Sequence, residues 1–367
     1  MKKLFSILLA VSMMLGLCAF AQADGEYRIA MITDYGDITD QSFNQTTYEA
    51  CKAFAEENGY DFTYYKPTGD STAARVAMVD AAVDDGYNVI VMPGFAFGET
   101  IAEVQEENPD VIFIALDVSE GDLGGATLAS NVYCAVYQEE LCGYMAGYAA
   151  VKLGYTHLGY LGGMAVPAVV RYGYGFVQGA DAAAKELGVD VTVEYTYGNQ
   201  FYGDADITAY MDTWYKTLGV QVVSACGGGI YSSACEAAAK VEGGKVIGVD
   251  VDQSGLIDST YGEGMTVTSA MKGLGATVKT LLSETVKGNF ANYGGKVETL
   301  GLVSGEDVEA NYVQIPFETT QWSDSFTQAD YAALVAKMFS GEITVSNAID
   351  AAPAVTAVTV NYYDPIK

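Results

Sequence analysis

Two stretches set 133 positions apart govern what this chain can become: GYNVIVMPG at 86–94 and GVQVVSACG at 219–227. The offset holds further on, where IALDV at 114–118 matches IGVDV at 247–251, so that Gly86, Gly94 and Asp117 answer to Gly219, Gly227 and Asp250. Each half therefore carries a strand ending in Gly and, about 23 residues later, a strand ending in Asp. YNVIVMP and VIFIAL are almost wholly apolar rather than alternating, which is the pattern of strands covered on both faces.

Around these landmarks, short β-rich runs alternate with longer segments of helical period. YRIAMIT, DFTYY, YNVIVMP and VIFIAL are separated by helical stretches; HLGYLGG, VDVTVEY, VQVVSAC and KVIGVDV follow, with helices expected near 167–187, 205–217 and 230–240. This grammar specifies βαβ units around parallel sheets, and the repeat makes it two similar α/β lobes. In open parallel sheets, ligands sit beyond the carboxyl ends of the strands. An Asp just after one apolar strand reads equally as a cap or turn former, whereas the pair Asp117 and Asp250 points to a cleft between lobes. Gly227 opens a GGG run that lets backbone approach a ligand closely; without G-K-[ST] it is not a P-loop.

Residues 1–23 read as a secretory signal: a basic MKK, an apolar run and the small-residue site AQA. A single membrane anchor is the alternative. Cys18 raises a lipid anchor, but Leu17 stands where a small residue is wanted, so simple export to the periplasm or cell surface is expected. Losing Lys2 and Lys3 takes the formal charge from -29 to about -31. Such a chain lacks the clustered Lys and Arg that bind nucleic acid, and it has no basic helix for anionic lipid. Any membrane link runs through a partner or through Cys18. About 344 residues remain, which suits two domains. Cys51, Cys134, Cys142, Cys226 and Cys235 are few and odd in number; they read as buried apolar side chains, and none has zinc-site pairing.

His157 is the single histidine and reads as structural, which removes Ser-His-Asp, Cys-His and multi-His metal chemistry. The acid-rich loop MITDYGDITDQSFNQ at 31–45 leaves more open. Asp34, Asp37 and Asp40 offer oxygen ligands or a carboxylate cluster, yet the loop lacks the Gly and final acid of an EF-hand. A solvated turn capping a helix from about Ser42 is the plain reading. Phe43 and Asn44 suit another: an aromatic at a helix start can stack on a ring, and an amide can pair with ring nitrogens.

The string TDYGDITDQSFNQ resembles the T-D-x-G-x-x-x-D-x-S-F-N signature of the basic membrane protein, or PnrA-like, family of nucleoside-binding components of ABC importers. YLGGMAVPAVVRYGYGFVQG is similar to its G-G-M-x-x-P-x-x-x-R-x-x-x-G-F segment; NQFYGDAD, ACGGG, VIGVDVDQ and TSAMKGLG take the places of its S-F-x-D, A-G-G, G-V-D-x-D-Q and T-S-x-x-K motifs. The resemblance implies a two-lobed periplasmic-binding-protein-like fold (type I) with an interlobe cleft. It also implies a non-catalytic receptor for a purine nucleoside, delivering to an ABC permease without cofactor or metal. Carried over by position, Asp34 and Asn44 contact the base, Phe43 and Phe201 sandwich it, and Asp117, Gly227, Asp250 and Lys272 surround the ribose. Tyr35 and Asp37 depart from the family pattern. The lobes are expected at 24–134 with about 265–305, and 135–264 with about 306–367. A carboxylate-driven nucleoside hydrolase and a same-fold receptor for a sugar or other small solute are the alternatives.

Overall fold

The computed structural model describes residues 27–367; the signal segment and Cys18 lie outside them. Among the described residues, thirteen strands form two sheets. The first runs β11 (Lys296–Leu300), β5 (Val132–Tyr137), β4 (Ile112–Leu116), β3 (Val89–Pro93), β1 (Arg28–Ile32) and β2 (Asp61–Tyr65). The second runs β12 (Val313–Gln314), β10 (Thr266–Lys272), β9 (Lys245–Asp250), β8 (Val222–Cys226), β6 (His157–Gly162), β7 (Val191–Tyr197) and β13 (Val358–Tyr362). All pairings are parallel except β10 with β12.

The internal repeat survives in three dimensions. β3 and β8 hold the same place in their sheets, as do β4 and β9, and both members of the first pair are buried along their whole length. The repeat extends to the backbone: Gly94 and Gly227 have φ of 125° and 136°, while Asp117 and Asp250 have φ of 60° and 64°. Non-glycine residues seldom occupy this left-handed region, and Asp is among those that tolerate it. The expected helices appear at Pro167–Leu187, Ala205–Thr213 and Tyr231–Ala238. The second is continued by one π turn at Trp214–Leu218, where Gly219 ends the run in a left-handed conformation.

The chain passes between sheets three times, and the boundaries differ from those expected. β5 remains in the first sheet to Tyr137, past the expected change at 134. β10 belongs to the second sheet rather than the first, because it pairs in parallel register with β9, Ser269 opposite Gly248. The return therefore comes at Gly273, not near 265. The three crossings lie side by side: Gln138 N donates to Leu300 O, Tyr312 N to Gly301 O and Gly273 N to Tyr312 O.

Two helices join the crossing region to the second sheet, α4 (Glu139–Lys152) and α5 (Pro167–Leu187), numbered after the three helices that precede them in the chain, α1 (Phe43–Asn58), α2 (Thr72–Asp84) and α3 (Phe97–Val104). Glycines bring their backbones together. A Cβ on Gly143 or Gly147 of α4 would lie 2.2 or 2.1 Å from the carbonyl oxygen of Tyr172 or Phe176, and one on Gly175 or Gly179 of α5 would lie 2.1 or 2.0 Å from that of Glu140 or Tyr144. Any side chain there forces the helices apart. This contact fixes the first residue of α4, Glu139, against Arg171 of α5.

Candidate functional site

The carboxyl ends of both sheets face a cavity of about 540 Å³. All eight candidate residues line it: Asp34, Phe43, Asn44, Asp117, Phe201, Gly227, Asp250 and Lys272. β1 delivers Asp34, the first turn of α1 presents Phe43 and Asn44, the ends of β4 and β9 place the two matched aspartates, and β10 ends in Lys272.

The three acids of the opening loop do three different things. Asp34 is buried, and its Oδ1 accepts from the N–H groups of Tyr35 and Gly36 at 2.6 and 2.7 Å. Burial pushes its pKa up, against those two bonds. Asp37 is exposed and pairs with Lys66 at 2.8 Å. Asp40 accepts from the backbone N–H groups of Ser42, Asn44 and Gln45, so its charge sits on the positive end of α1. The helix-capping reading thus holds for Asp40. Among the described residues no group of three or more His, Cys, Asp or Glu is arranged to hold a metal ion.

Asp40 also sets the chemistry of Asn44. It accepts from Asn44 Nδ2 at 3.2 Å, which turns Asn44 Oδ1 the other way. That oxygen is buried without a hydrogen-bond partner, and so is Asp117 Oδ1. Buried acceptors without partners are costly. Both oxygens belong to residues that line the cavity.

The same cavity holds a charge cluster around Lys272, whose side chain is only 3% exposed. Its Nζ lies 2.5 Å from Asp117 Oδ2, 3.5 Å from Glu139 Oε1 and 3.8 Å from Asp250 Oδ1. Burial opposes the ammonium charge, yet the three acids hold its pKa above the ordinary lysine range. Burial likewise raises Glu139 and Asp250 against the pull of Lys272. Arg171 Nε donates to Glu139 Oε2 at 2.6 Å, so the fully buried Glu139 aligns both cations. The rings of Phe43, Tyr137 and Tyr172 surround the ammonium at 4.7, 5.5 and 5.7 Å from their centroids, within the range of cation–π attraction.

Phe201 rests on glycine rather than on other rings of the core. Cβ atoms built on Gly163 and Gly227 would come within 2.4 and 2.7 Å of its ring. Gly227 was expected to bring backbone to a ligand; its close approach in this structure is to Phe201, which it supports from below. Gly94 plays the matching part in the first lobe, where an added Cβ would meet Asp34 Oδ2 at 3.0 Å.

Several residues on the cavity wall or just behind it escaped the sequence reading: Tyr35 and Arg171 line it, and Ser42 and Glu139 bond to residues that do. Tyr35, noted only as a departure, is 6.4 Å from Phe201 between ring centroids with 30° between planes, and its hydroxyl donates to Met164 Sδ at 3.4 Å. Ser42 Oγ donates to Asp250 Oδ2 at 2.5 Å, joining the first lobe to the second. Glu139 and Arg171 sit in no acid- or base-rich stretch. Arg171 was the one with a signal, as the R of the G-G-M-x-x-P-x-x-x-R segment.

A family model described as ABC transporter substrate-binding protein PnrA-like matches residues 28–345. The chain is 27% identical over 296 residues to the ABC transporter nucleoside-binding protein BmpA of Lactococcus lactis, covering 76% of this chain and 80% of that protein. It is also 27% identical over 282 residues to basic membrane protein B of Borreliella burgdorferi, covering 76% and 79%. Among solved structures, an ABC transporter solute-binding protein of Aeropyrum pernix superposes with a TM-score of 0.67 at 21% identity, covering 87% of each chain.

Proposed function

Because the chain belongs to the PnrA-like family of ABC transporter substrate-binding proteins, we propose that it is the receptor for a purine nucleoside, held between the two lobes and passed to the permease of its importer. The observation that carries this reading is that Phe43 and Phe201, borne by different lobes, line one cavity together with the Asp117–Lys272–Asp250 cluster.

A flat base stacked on these rings gains about 1 to 3 kcal/mol per stacked base, and needs both lobes to gain it fully. Ribose hydroxyls donate to Asp117 and Asp250, while Lys272 offsets the acids that a ligand buries. Asp34 and Asn44 Oδ1 are acceptors, so they select a base edge that donates. Guanosine and inosine, with N1–H, suit them better than adenosine, whose N1 accepts. The cations of the wall, Lys66, Arg171 and Lys272, are already paired with carboxylates. Phosphorylated nucleosides are therefore disfavoured.

The role is binding, not bond cleavage. Closure around the ligand supplies the signal that the transporter reads. The protein acts outside the cytoplasmic membrane after export by residues 1–23, and a mature mass free of acyl chains would distinguish simple export from lipidation at Cys18. No helix among the described residues is long and apolar enough to cross a membrane.

A thermal-shift series with guanosine, inosine, adenosine and their monophosphates tests the reading, with chromatography of the same samples after long incubation. Stabilisation by nucleosides that stay intact is expected. Free base in the samples supports a hydrolase instead, and a flat series removes the nucleoside.

A further inference from the structure

The family match ends at residue 345, yet the chain continues along the second lobe in a built path. Asp181 of α5 takes the backbone N–H groups of Thr356, Ala357 and Val358 on one oxygen at 2.8, 2.7 and 3.3 Å. β13 then pairs with β7 from Val358 opposite Val191 to Tyr362 opposite Tyr195. Glu194 of β7, only 3% exposed, accepts from Asn361 Nδ2 at 3.1 Å and from Tyr363 OH at 2.7 Å, and meets His157 Nε2 at 2.8 Å. Beyond the strand, Tyr363 N donates to Tyr195 O and Ile366 N to Tyr197 O. Lys367 Nζ then pairs with Asp204 and lies 3.4 Å from Asp206.

That route ends where the aromatic loop begins and ends. β7 stops at Tyr197, and residues 198–204 carry Phe201 to the cavity before Asp204 caps the helix Ala205–Thr213. Gln200 Nε2 donates to the same Asp204 oxygen that Lys367 contacts, and to Tyr202 O. The loop is otherwise tied by Gly198 N to Gly162 O, Asn199 N to Gly163 O, Gly229 N to Phe201 O and Asp204 N to Ser233 Oγ.

We propose that residues 346–367 form a strap that positions Phe201, by covering the outer edge of β7 and fastening both ends of its loop through Tyr197 and Asp204. The strap gives this chain a support for its second aromatic jaw that lies outside the family match. Lys367 is a positioning residue: it touches the loop and not the ligand. The effect on affinity rests on the proposed stacking of Phe201 against a nucleoside, whereas the effect on the loop does not.

The test is hydrogen exchange read by mass spectrometry on full-length, ligand-free protein, comparing wild type with Lys367→Ala, Lys367→Arg and the double variant Ile366→Pro/Lys367→Ala. Pro removes the N–H that reaches Tyr197 O. Amides of 198–204 are expected to exchange about fivefold faster or more in the double variant, with α4 and β8 unchanged. Lys367→Ala gives a smaller change, and Lys367→Arg restores protection. Guanosine dissociation constants should rise about threefold to fivefold for Lys367→Ala, the scale of a partly exposed ion pair. Unchanged exchange in 198–204 for Lys367→Ala and the double variant overturns the strap. Faster exchange with no nucleoside bound by wild type keeps the strap and discards the ligand. Should the double variant unfold, Lys367→Ala alone decides, since its side chain is 34% exposed and outside the core.

Discussion

Lys272 Nζ stands 2.5 Å from Asp117 Oδ2, a lysine from the end of a second-lobe strand against an aspartate from the end of a first-lobe strand. Three acids share that one ammonium. Removing one partner of a buried ionic group leaves the rest uncompensated, at a cost of about 3 to 5 kcal/mol. Lys272→Met is therefore expected to lower unfolding free energy by that amount in denaturant titrations and to abolish nucleoside binding. The paired variant Lys272→Met/Glu139→Gln recovers part of the stability but not the binding.

Ser42 separates closure from helix capping. It precedes α1 in the N-cap position, yet its side chain makes no capping bond and donates instead to Asp250 across the cleft. Ser42→Ala removes a donor from a buried carboxylate, so thermal stability of the free protein should fall by about 1.5 to 3 kcal/mol through that bond and not through a lost cap. Nucleoside affinity is expected to fall about tenfold, as for loss of a hydrogen bond to a charged group. Calorimetry alongside thermal unfolding reads both.

Gly94 and Gly227 invite a matched comparison. Both adopt positive φ, and each leaves room for one cavity side chain, Asp34 in the first case and Phe201 in the second. An Ala at either site costs about 1 to 3 kcal/mol in backbone strain. Gly227→Ala additionally pushes Phe201 from its seat and should weaken every nucleoside alike. Gly94→Ala disturbs Asp34 and should blunt discrimination between guanosine and adenosine. A panel of affinities on both variants checks the difference.

What could be read without coordinates followed from repetition and from apolar continuity. The strands at 89–93 and 222–226, and the aspartates beyond their neighbours, were legible because buried parallel strands leave unbroken apolar runs. The seats of Asp34, Phe43 and Asn44 followed from a dense local motif. The change of sheet at Gly273 was not legible: the residues of β10 can pair with either sheet, and only hydrogen bonding to β9 assigns the strand. Glu139 and Arg171 were hidden for a related reason. Their pairing depends on how closely α4 and α5 approach, and glycines at 143, 147, 175 and 179 report that only once the helices are known to be partners. Eleven of the 27 tyrosines are buried, some with hydroxyls that donate to backbone, as Tyr160 to Val169 O and Tyr215 to Lys245 O illustrate.

Glu140 gives a pH signature. Burial pushes its carboxyl up to about 7, above the ordinary glutamate range, and its Oε2 has no hydrogen-bond partner. The folded state then binds the proton more tightly than the unfolded chain. Its contribution is favourable below the unfolded pKa and is lost as pH rises towards 7. Relative to Glu140→Gln, wild-type stability should decline between about pH 4.5 and 7 at up to about 1.4 kcal/mol per unit. Urea unfolding of both proteins across that window measures it; parallel curves contradict the assignment.

In the proposed receptor, two lobes close on a flat base and its ribose. Isothermal titration of the purified protein with guanosine, inosine, adenosine and D-ribose tests it most directly. Saturable one-to-one binding of at least one purine nucleoside, lost in Phe43→Ala and in Phe201→Ala, with no heat from ribose, is the predicted result. Equal binding of ribose, or nucleoside binding untouched by either substitution, would contradict it.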